Sequence, residues 1–335
     1  MDSLNGRILV TGGAGFIGSA LIWALNQRGH TDIVVVDLLG SDEKWKNLRP
    51  LRFAEYVEGP DFRQNLGQSA TRFGKFSAVF HLGACSATTE KNAGYLIDNN
   101  YNFTKELANW SAAQGARFIY ASSAATYGDG THGMEDTSTK LAVLRPLNMY
   151  GYSKHLFDLY AQRTGLLASM VGLKYFNVFG PNEDHKGEMR SVVNKLSKQI
   201  ISGDTTVRLF KSYKPEYADG MQKRDFLYVK DAVEMTLHFA TTGAQSSGLF
   251  NLGSGTAHSW LDLTEAIARS FSGEKNINVD FIDMPDALRQ QYQYFTLANI
   301  AKLRATGYEK PITPLRDAVM DYVRNYLIPS KKLGE

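Results

Sequence analysis

The sequence predicts an α/β protein: a doubly wound parallel sheet with a smaller C-terminal α/β unit beside it. Three observations carry this expectation. A short apolar run, Ile8, Leu9 and Val10, ends in a glycine-rich stretch that includes Gly12, Gly13, Gly15 and Gly18. Phe16, Ile17, Leu21, Ile22 and Leu25 then recur at helical spacing up to Gly29. Farther on, short β-branched and aromatic runs keep alternating with helical segments, the pattern of a parallel sheet covered on both faces.

Taken in order, Ile33, Val34, Val35 and Val36 read as a strand buried on both faces. Residues 7–37 therefore form a strand, glycine loop, helix and strand. Runs at 77–81 and 117–121 predict two more strands, with a helix at about 94–114 between them. A helix near 149–165 precedes a strand at 171–176. After Gly180 and Pro181 the character changes. Met189, Val192, Val193, Leu196 and Ile200 place one apolar face on a helix, and 211–224 is polar and irregular. Runs at 226–229 and 249–252, with a helix near 231–241 between them, are expected to return the chain to the sheet. Thr313 and Pro314 are expected as N-cap and first turn of the last helix. Residues 330–335 are expected to fray.

Composition excludes several function classes. Across 335 residues, 37 Lys and Arg face 34 Asp and Glu, a formal charge of +3 without long like-charge blocks. Nucleic-acid binding usually needs a concentrated basic patch, so no such partner is expected. A small anionic ligand held by a few placed cations remains compatible. The lone Cys85 rules out an intrachain disulfide and a Cys-based zinc site. The seven His show no His-Glu-x-x-His pairing, so no metal is expected. No stretch approaches the ~18 apolar residues of a membrane span. No apolar signal region precedes the first strand, which predicts a cytoplasmic protein without a membrane partner.

The glycines satisfy the dinucleotide fingerprint as Gly13-x-Gly15-x-x-Gly18 and its shifted variant as Gly12-x-x-Gly15-x-x-Gly18. Glycine is needed there for a tight turn, for backbone approach to a pyrophosphate and for close helix–strand packing. The following helix N-terminus offers free N–H groups and a positive dipole end. Such a spacing alone is weak, but here it follows a strand and opens a helix, with Asp37 at a strand end about twenty residues on. The expected fold is thus Rossmann-like and the cofactor a nicotinamide dinucleotide. Asp37 as acceptor of a ribose 2′-hydroxyl favours NAD; Lys44 as neutraliser of a 2′-phosphate favours NADP. The expected division is a dinucleotide-binding domain over 1–176 plus about 225–251, and a substrate domain over about 177–224 plus 252–335.

Tyr150 and Lys154 form Tyr-x-x-x-Lys on the helix near 149–165, and their spacing puts both on one face. A free tyrosine titrates near ~10. An ammonium ~4 Å away contributes about 4 kcal/mol at an effective dielectric of ~20. Lys154 is therefore expected to draw Tyr150 down towards neutrality, against desolvation. Ser123 closes a strand and can hydrogen-bond a substrate oxygen whose charge changes; the alternative role is a turn cap.

These segments resemble the extended short-chain dehydrogenase/reductases over almost the whole chain. The resemblance rests on the glycine loop, Ser123, Tyr150 with Lys154, the run from Arg224 to Val229 and the run from Phe250 to Gly255. Within that group the chain resembles the ADP-heptose 6-epimerase family. The segments that do so are 81–86 with Thr88, Thr89 and Glu90, then 98–101, 121–128, 147–154, 175–181 and His185, Lys186, Gly187. Cys85 and the His-Lys-Gly run are specific to that family.

The resemblance implies a catalytic set of Ser123, Tyr150, Lys154 and Lys186. It implies tightly bound NADP, with NAD compatible, lined by Gly12, Gly15, Phe16, Ile17, Gly18, Asp37, Leu38, Lys44, Leu82, Gly83, Ala84, Cys85, Ser86, Asn99, Lys154, Val178 and Lys186. It implies Asn177, Glu188, Lys195, Phe210, Arg224 and Tyr292 around an ADP-heptose nucleotide sugar of lipopolysaccharide inner-core synthesis. It further implies a homo-oligomer, a homopentamer in the family. The chain departs from the family at Leu82, often Glu there, at Gly59, where some members carry a phosphate-binding lysine, at Glu188 and Lys195, which replace other polar residues, and in a longer 211–223 loop.

An epimerase removes a hydride from a carbinol carbon and returns it to the other face. With the nicotinamide fixed, the ketone must reorient and its oxygen points elsewhere. One tyrosine does not serve both positions easily, so a second proton donor is expected, and Lys186 is the candidate. A dehydratase tends to carry an Asp-Glu pair after the catalytic hydroxyl, where this chain has Ala124 and Ala125. A reductase would consume added reduced cofactor. A non-catalytic dinucleotide sensor has no need of Ser123, Tyr150 and Lys154 together.

Overall fold

The computed structural model describes residues 4–68, 72–271, 277–289 and 292–335. Its strands are β1 (Arg7–Thr11), β2 (Ile33–Asp37), β3 (Glu55–Glu58), β4 (Phe76–His81), β5 (Arg117–Ser123), β6 (Val171–Tyr175), β7 (Asn177–Phe179), β8 (Thr206–Phe210), β9 (Lys223–Tyr228), β10 (Gly248–Leu252), β11 (Ala257–Ser259) and β12 (Asn278–Ile282). The helices of eight residues or more, among the described residues, are α1 (Phe16–Gln27), α2 (Phe103–Gln114), α3 (Met149–Arg163), α4 (Val192–Ile201), α5 (Val229–Thr241), α6 (Trp260–Ala268) and α7 (Leu315–Tyr322).

Seven strands form one parallel sheet in the order β10-β6-β5-β4-β1-β2-β3. Every residue of β2 is buried, as its unbroken apolar run requires between two helical layers. One core includes Ile8, Val10, Leu21 and Leu25 with Val229 and Val233 of α5. A second, on the other face, includes Leu9, Val34, Val79, Leu107 and Phe157. The order reverses at β1, whose neighbours β2 and β4 lead the chain in opposite directions. Ligand crevices form at such a switch point, outside the carboxyl ends of the strands.

The smaller part holds a three-stranded sheet, β11-β9-β7, and a two-stranded one, β12-β8. Four expectations change here. The run at 226–229 does not rejoin the large sheet: β9 pairs in parallel with β7 and antiparallel with β11. Only β10 returns, beside β6. Met189 lies outside α4, because Ser191 caps that helix by accepting from the Asn194 N–H. Pro314 itself is the N-cap of α7, while Thr313 donates its N–H and hydroxyl to the Asp231 carboxylate, both at 2.9 Å. The tail does not fray: Leu333 is fully buried, and its N–H donates to Asn182 Oδ1 at 3.0 Å.

Candidate active site

The glycine loop joins β1 to α1 at the switch point. Gly12 has φ of 70°, and a Cβ there would stand 2.6 Å from the Gly83 nitrogen. A Cβ on Gly18 would meet the Gly12 carbonyl oxygen at 2.0 Å. No side chain caps α1, and its first turn carries no acidic residue. The positive end of the helix therefore faces a cleft of about 470 Å³ lined by Gly12, Gly15, Phe16, Ile17 and Gly18. This cradle, free of side chains at its closest point and electropositive, fits the pyrophosphate of a dinucleotide.

Asp37 also lines the cleft, but in a role different from the one its position suggests. Its Oδ2 accepts from the Ala14 and Gly15 N–H groups at 2.8 and 3.2 Å. Its Oδ1 accepts from the Leu38 N–H at 2.7 Å and from Lys44 Nζ at 3.1 Å. Both oxygens are engaged in shaping the loop, and Lys44 neutralises the carboxylate while lining the same cleft. Leu38 is half-exposed, does not line the cleft, and gives its N–H to Asp37.

Leu82, Gly83, Ala84, Cys85 and Ser86 form the opposite wall. They are held by a network that begins at His81, which is fully buried. The Thr104 hydroxyl donates to the Asn100 carbonyl at 2.5 Å, so it accepts from His81 Nε2 at 2.8 Å. His81 Nδ1 then accepts from the Thr11 hydroxyl at 2.7 Å, and Thr11 Oγ1 accepts from the Gly83 N–H at 3.2 Å. Burial, aided by the charge of Lys154, lowers the His81 pKa to about 3, which keeps the ring neutral. The Asn100 side chain accepts from the Cys85 N–H and donates to the Cys85 carbonyl, each at 2.9 Å, and donates to Ser153 Oγ at 3.0 Å. Asn99 donates to Asn100 Oδ1 at 3.0 Å and supports this wall. Val178 completes the cleft lining from β7.

α3 starts after Asn148, whose side chain accepts from the Gly151 N–H at 2.8 Å, a cap worth about 1 kcal/mol. Gly151 lets the helix press on the turn after β5: a Cβ there would stand 2.8 Å from the Ala125 carbonyl oxygen. The approach brings Tyr150 beside Ser123, both lining the cleft. Of the two roles its position allows, Ser123 shows the turn cap, accepting from the Ala125 N–H at 3.1 Å, and it also lines the cleft.

Burial pushes the Tyr150 phenol above its ordinary value, and the Ser123 hydroxyl pulls it back only in part. The expected lowering by Lys154 is therefore not seen. Lys154 lines the cleft, yet its Nζ donates to the Ala121 carbonyl at 2.8 Å. Burial brings the Lys154 ammonium down to about 8, while Asp158 opposes that shift.

Lys186 enters the same cleft from the turn Asp184–Met189, across from α3. Its Nζ lies 5.4 Å from the centre of the Phe16 ring. Burial lowers its pKa and Glu183 works against that. A second cleft, of about 220 Å³, shares Ser123 and Tyr150 with the first and extends to Asn148, Asn177, Gln293 and Thr296. Arg224 is buried between Tyr292 and Trp260, with ring centres 5.1 and 5.7 Å from its guanidinium carbon. Phe210 meets Tyr292 edge-on. Glu188 and Lys195 pair with each other at 2.9 Å near the surface and line neither cleft.

Sequence reasoning passed over the support beneath this site. Lys174 and Asp158 are both fully buried and pair at 2.8 Å. Asp158 also accepts from the Tyr120 and Ser122 hydroxyls, each at 2.8 Å. Lys174 donates to Thr126 Oγ1 at 2.6 Å, and Thr126 donates to the Ser123 carbonyl at 2.8 Å. A signal was present: a lysine inside an apolar strand needs a partner, and Asp158 lies one turn beyond Lys154.

Fold and site together define the extended short-chain dehydrogenase/reductase class, with Ser, Tyr and Lys gathered beside a dinucleotide cradle. The model of the NAD dependent epimerase/dehydratase family matches residues 8–253, and the chain belongs to that family. An ADP-L-glycero-D-manno-heptose-6-epimerase of Nitratidesulfovibrio vulgaris (strain Hildenborough) is 50% identical over 319 residues, 95% of this chain and 97% of the relative. That of Fusobacterium nucleatum subsp. nucleatum is 45% identical over 327 residues, 96% and 98% of the two chains. The crystal structure of the Helicobacter pylori ADP-L-glycero-D-manno-heptose-6-epimerase superposes with a TM-score of 0.79 at 28% identity, covering 97% of this chain and 98% of that one.

Proposed function

We propose that this enzyme is an ADP-glyceromanno-heptose 6-epimerase. It interconverts ADP-D-glycero-β-D-manno-heptose and ADP-L-glycero-β-D-manno-heptose through a transient 6″-ketone, for lipopolysaccharide inner-core heptose. The observation that carries this reading is Tyr150 and Lys186 lining one cleft from two separate elements. The names and high identity of the relatives support the substrate.

The bound dinucleotide supplies reversible hydride acceptance at the substrate carbinol. Everything else falls to side chains of the chain. Ser123 hydrogen-bonds the C6″ oxygen, and Tyr150 takes its proton in one direction. Lys154 holds the cofactor ribose. After the ketone reorients, Lys186 protonates the oxygen in its new position; in the reverse direction the roles exchange. Asn177, Phe210, Arg224 and Tyr292 hold the nucleotide sugar. We read the cofactor as NADP, with NAD compatible, a reading supported by Lys44, which lines the cleft beside Asp37 and carries the charge to meet a 2′-phosphate. A charged hydrogen bond of that kind is worth about 1.5–3 kcal/mol. Lys44→Ala should therefore weaken NADP about ten- to hundredfold relative to NAD, read by titrating refolded, cofactor-stripped protein. Equal weakening of both cofactors contradicts the role. The same reading places the enzyme in the cytoplasm as a homo-oligomer, which sedimentation of purified protein checks. The activity is tested by incubating ADP-D-glycero-β-D-manno-heptose with the loaded enzyme and reading C6″ by NMR. Appearance of the L-glycero epimer is expected; unchanged stereochemistry contradicts the assignment.

A further inference from the structure

Lys186 sits in a short 3-10 turn, Asp184–Met189, rather than on a long helix or a strand of the sheet, so something must fix its position. The anchor is Asn182. It is buried and has φ of 78°, in the left-handed region that few non-glycine residues occupy. All of its acceptors and its side-chain donor group are used. Nδ2 donates to Ser19 Oγ on α1 at 3.0 Å. The carbonyl accepts from Asn47 Nδ2 at 3.0 Å, and the same amide donates to the Ala14 carbonyl in the glycine loop at 3.0 Å. Oδ1 accepts from the Leu333 N–H.

The tail reaches the loop a second time through Lys332, whose Nζ donates to Asp184. Asp184 also accepts from Asn194 Nδ2 at 3.0 Å and from Lys198. Glu335 closes the arrangement: it pairs with Arg49 and accepts from the Lys332 N–H at 2.9 Å. Residues 332–335 thus bridge two segments, near 47–49 and 182–184, that adjoin the cleft-lining Lys44 and Lys186 in sequence. Nothing in the catalytic scheme uses these contacts directly.

We propose that residues 332–335 are a latch that positions Lys186, acting through Asn182 and Asp184. The inference rests on the reading of Lys186 as the second acid/base. A displacement of about 1 Å at a reacting group costs on the order of a hundredfold in rate. The latch is therefore a rate device rather than a binding device.

The test compares cofactor-loaded wild type, Lys332→Met, Asn182→Ala, a chain lacking 332–335, and Lys186→Met. Each is given either epimer in single turnover while near-ultraviolet absorbance reports reduction of the bound dinucleotide; kcat, KM and thermal midpoint are measured alongside. Latch variants should lose about ten- to hundredfold in kcat with KM nearly unchanged. Their slowed oxidation should fall on the same epimer that Lys186→Met fails to oxidise. Latch variants with wild-type kcat, or with equal slowing for both epimers, overturn the latch while leaving Lys186 in place. Normal turnover of both epimers by Lys186→Met overturns the underlying reading and the latch with it.

Discussion

In the proposed mechanism four side chains, Ser123, Tyr150, Lys154 and Lys186, carry the chemistry, and each is set by its immediate surroundings. Tyr150 is raised by burial and pulled back only in part by the Ser123 hydroxyl, so its use as a base needs a lowering that the folded chain alone does not supply. Removing a positioned acid or base costs typically 10²–10⁴ in rate. Tyr150→Phe should therefore lose about that factor in both directions, measured as epimer formation, with little change in melting temperature. An activity within about threefold of wild type would remove Tyr150 from the mechanism. His81 makes a different prediction. Its folded pKa lies near 3, below the ~6.5 of an unfolded histidine. The unfolded chain therefore binds the extra proton first. Stability from this site is full above about 6.5 and is lost as pH falls towards 3. His81→Gln should flatten that part of the stability–pH curve; an unchanged curve would assign the acid loss to other groups. The glycine spacing, Ser123, Tyr150 and Lys154 were legible because each needs only a local pattern. The engagement of Asp37 was not, because it depends on how close the loop comes to the end of β2.

At the level of elements, two contacts hold the site in shape. The first is the approach of α3 to the turn after β5 at Gly151. Overpacking a tight contact costs about 1–3 kcal/mol. Gly151→Ala should lower stability by about that amount, read by denaturant unfolding, and slow turnover by displacing Tyr150. Unchanged stability and turnover would show that the turn yields freely. The second is the Lys174–Asp158 pair, which ties β6 to α3 and reaches Ser123 through Thr126. Breaking a buried pair by removing one partner costs about 3–5 kcal/mol. Lys174→Met should lose roughly that, and adding Asp158→Asn should restore part of it. A loss below about 1 kcal/mol for the single variant would mean that the pair is not held as the structure shows it. Strand and helix positions in the first half of the chain were readable from apolar periodicity. β9 was not placed by the same pattern, since an apolar run does not say which sheet it joins.

Across the whole molecule, the large sheet delivers the dinucleotide cradle and, after β4, the wall opposite it, and the segments after β6 bring Val178, His185 and Lys186 to the same cleft. The docked tail holds the stretch from Asn182 to Asp184 just before Lys186, a long-range contact that polar terminal residues give no local sign of. The central claim is that one hydrogen leaves C6″ and returns to its other face without exchange. The most direct measurement is epimerisation of ADP-D-glycero-β-D-manno-heptose in deuterated water, with C6″ followed by proton and deuterium NMR. The account predicts inverted product that keeps protium at C6″. Deuterium at C6″, or a substrate left uninverted by the loaded enzyme, would contradict it.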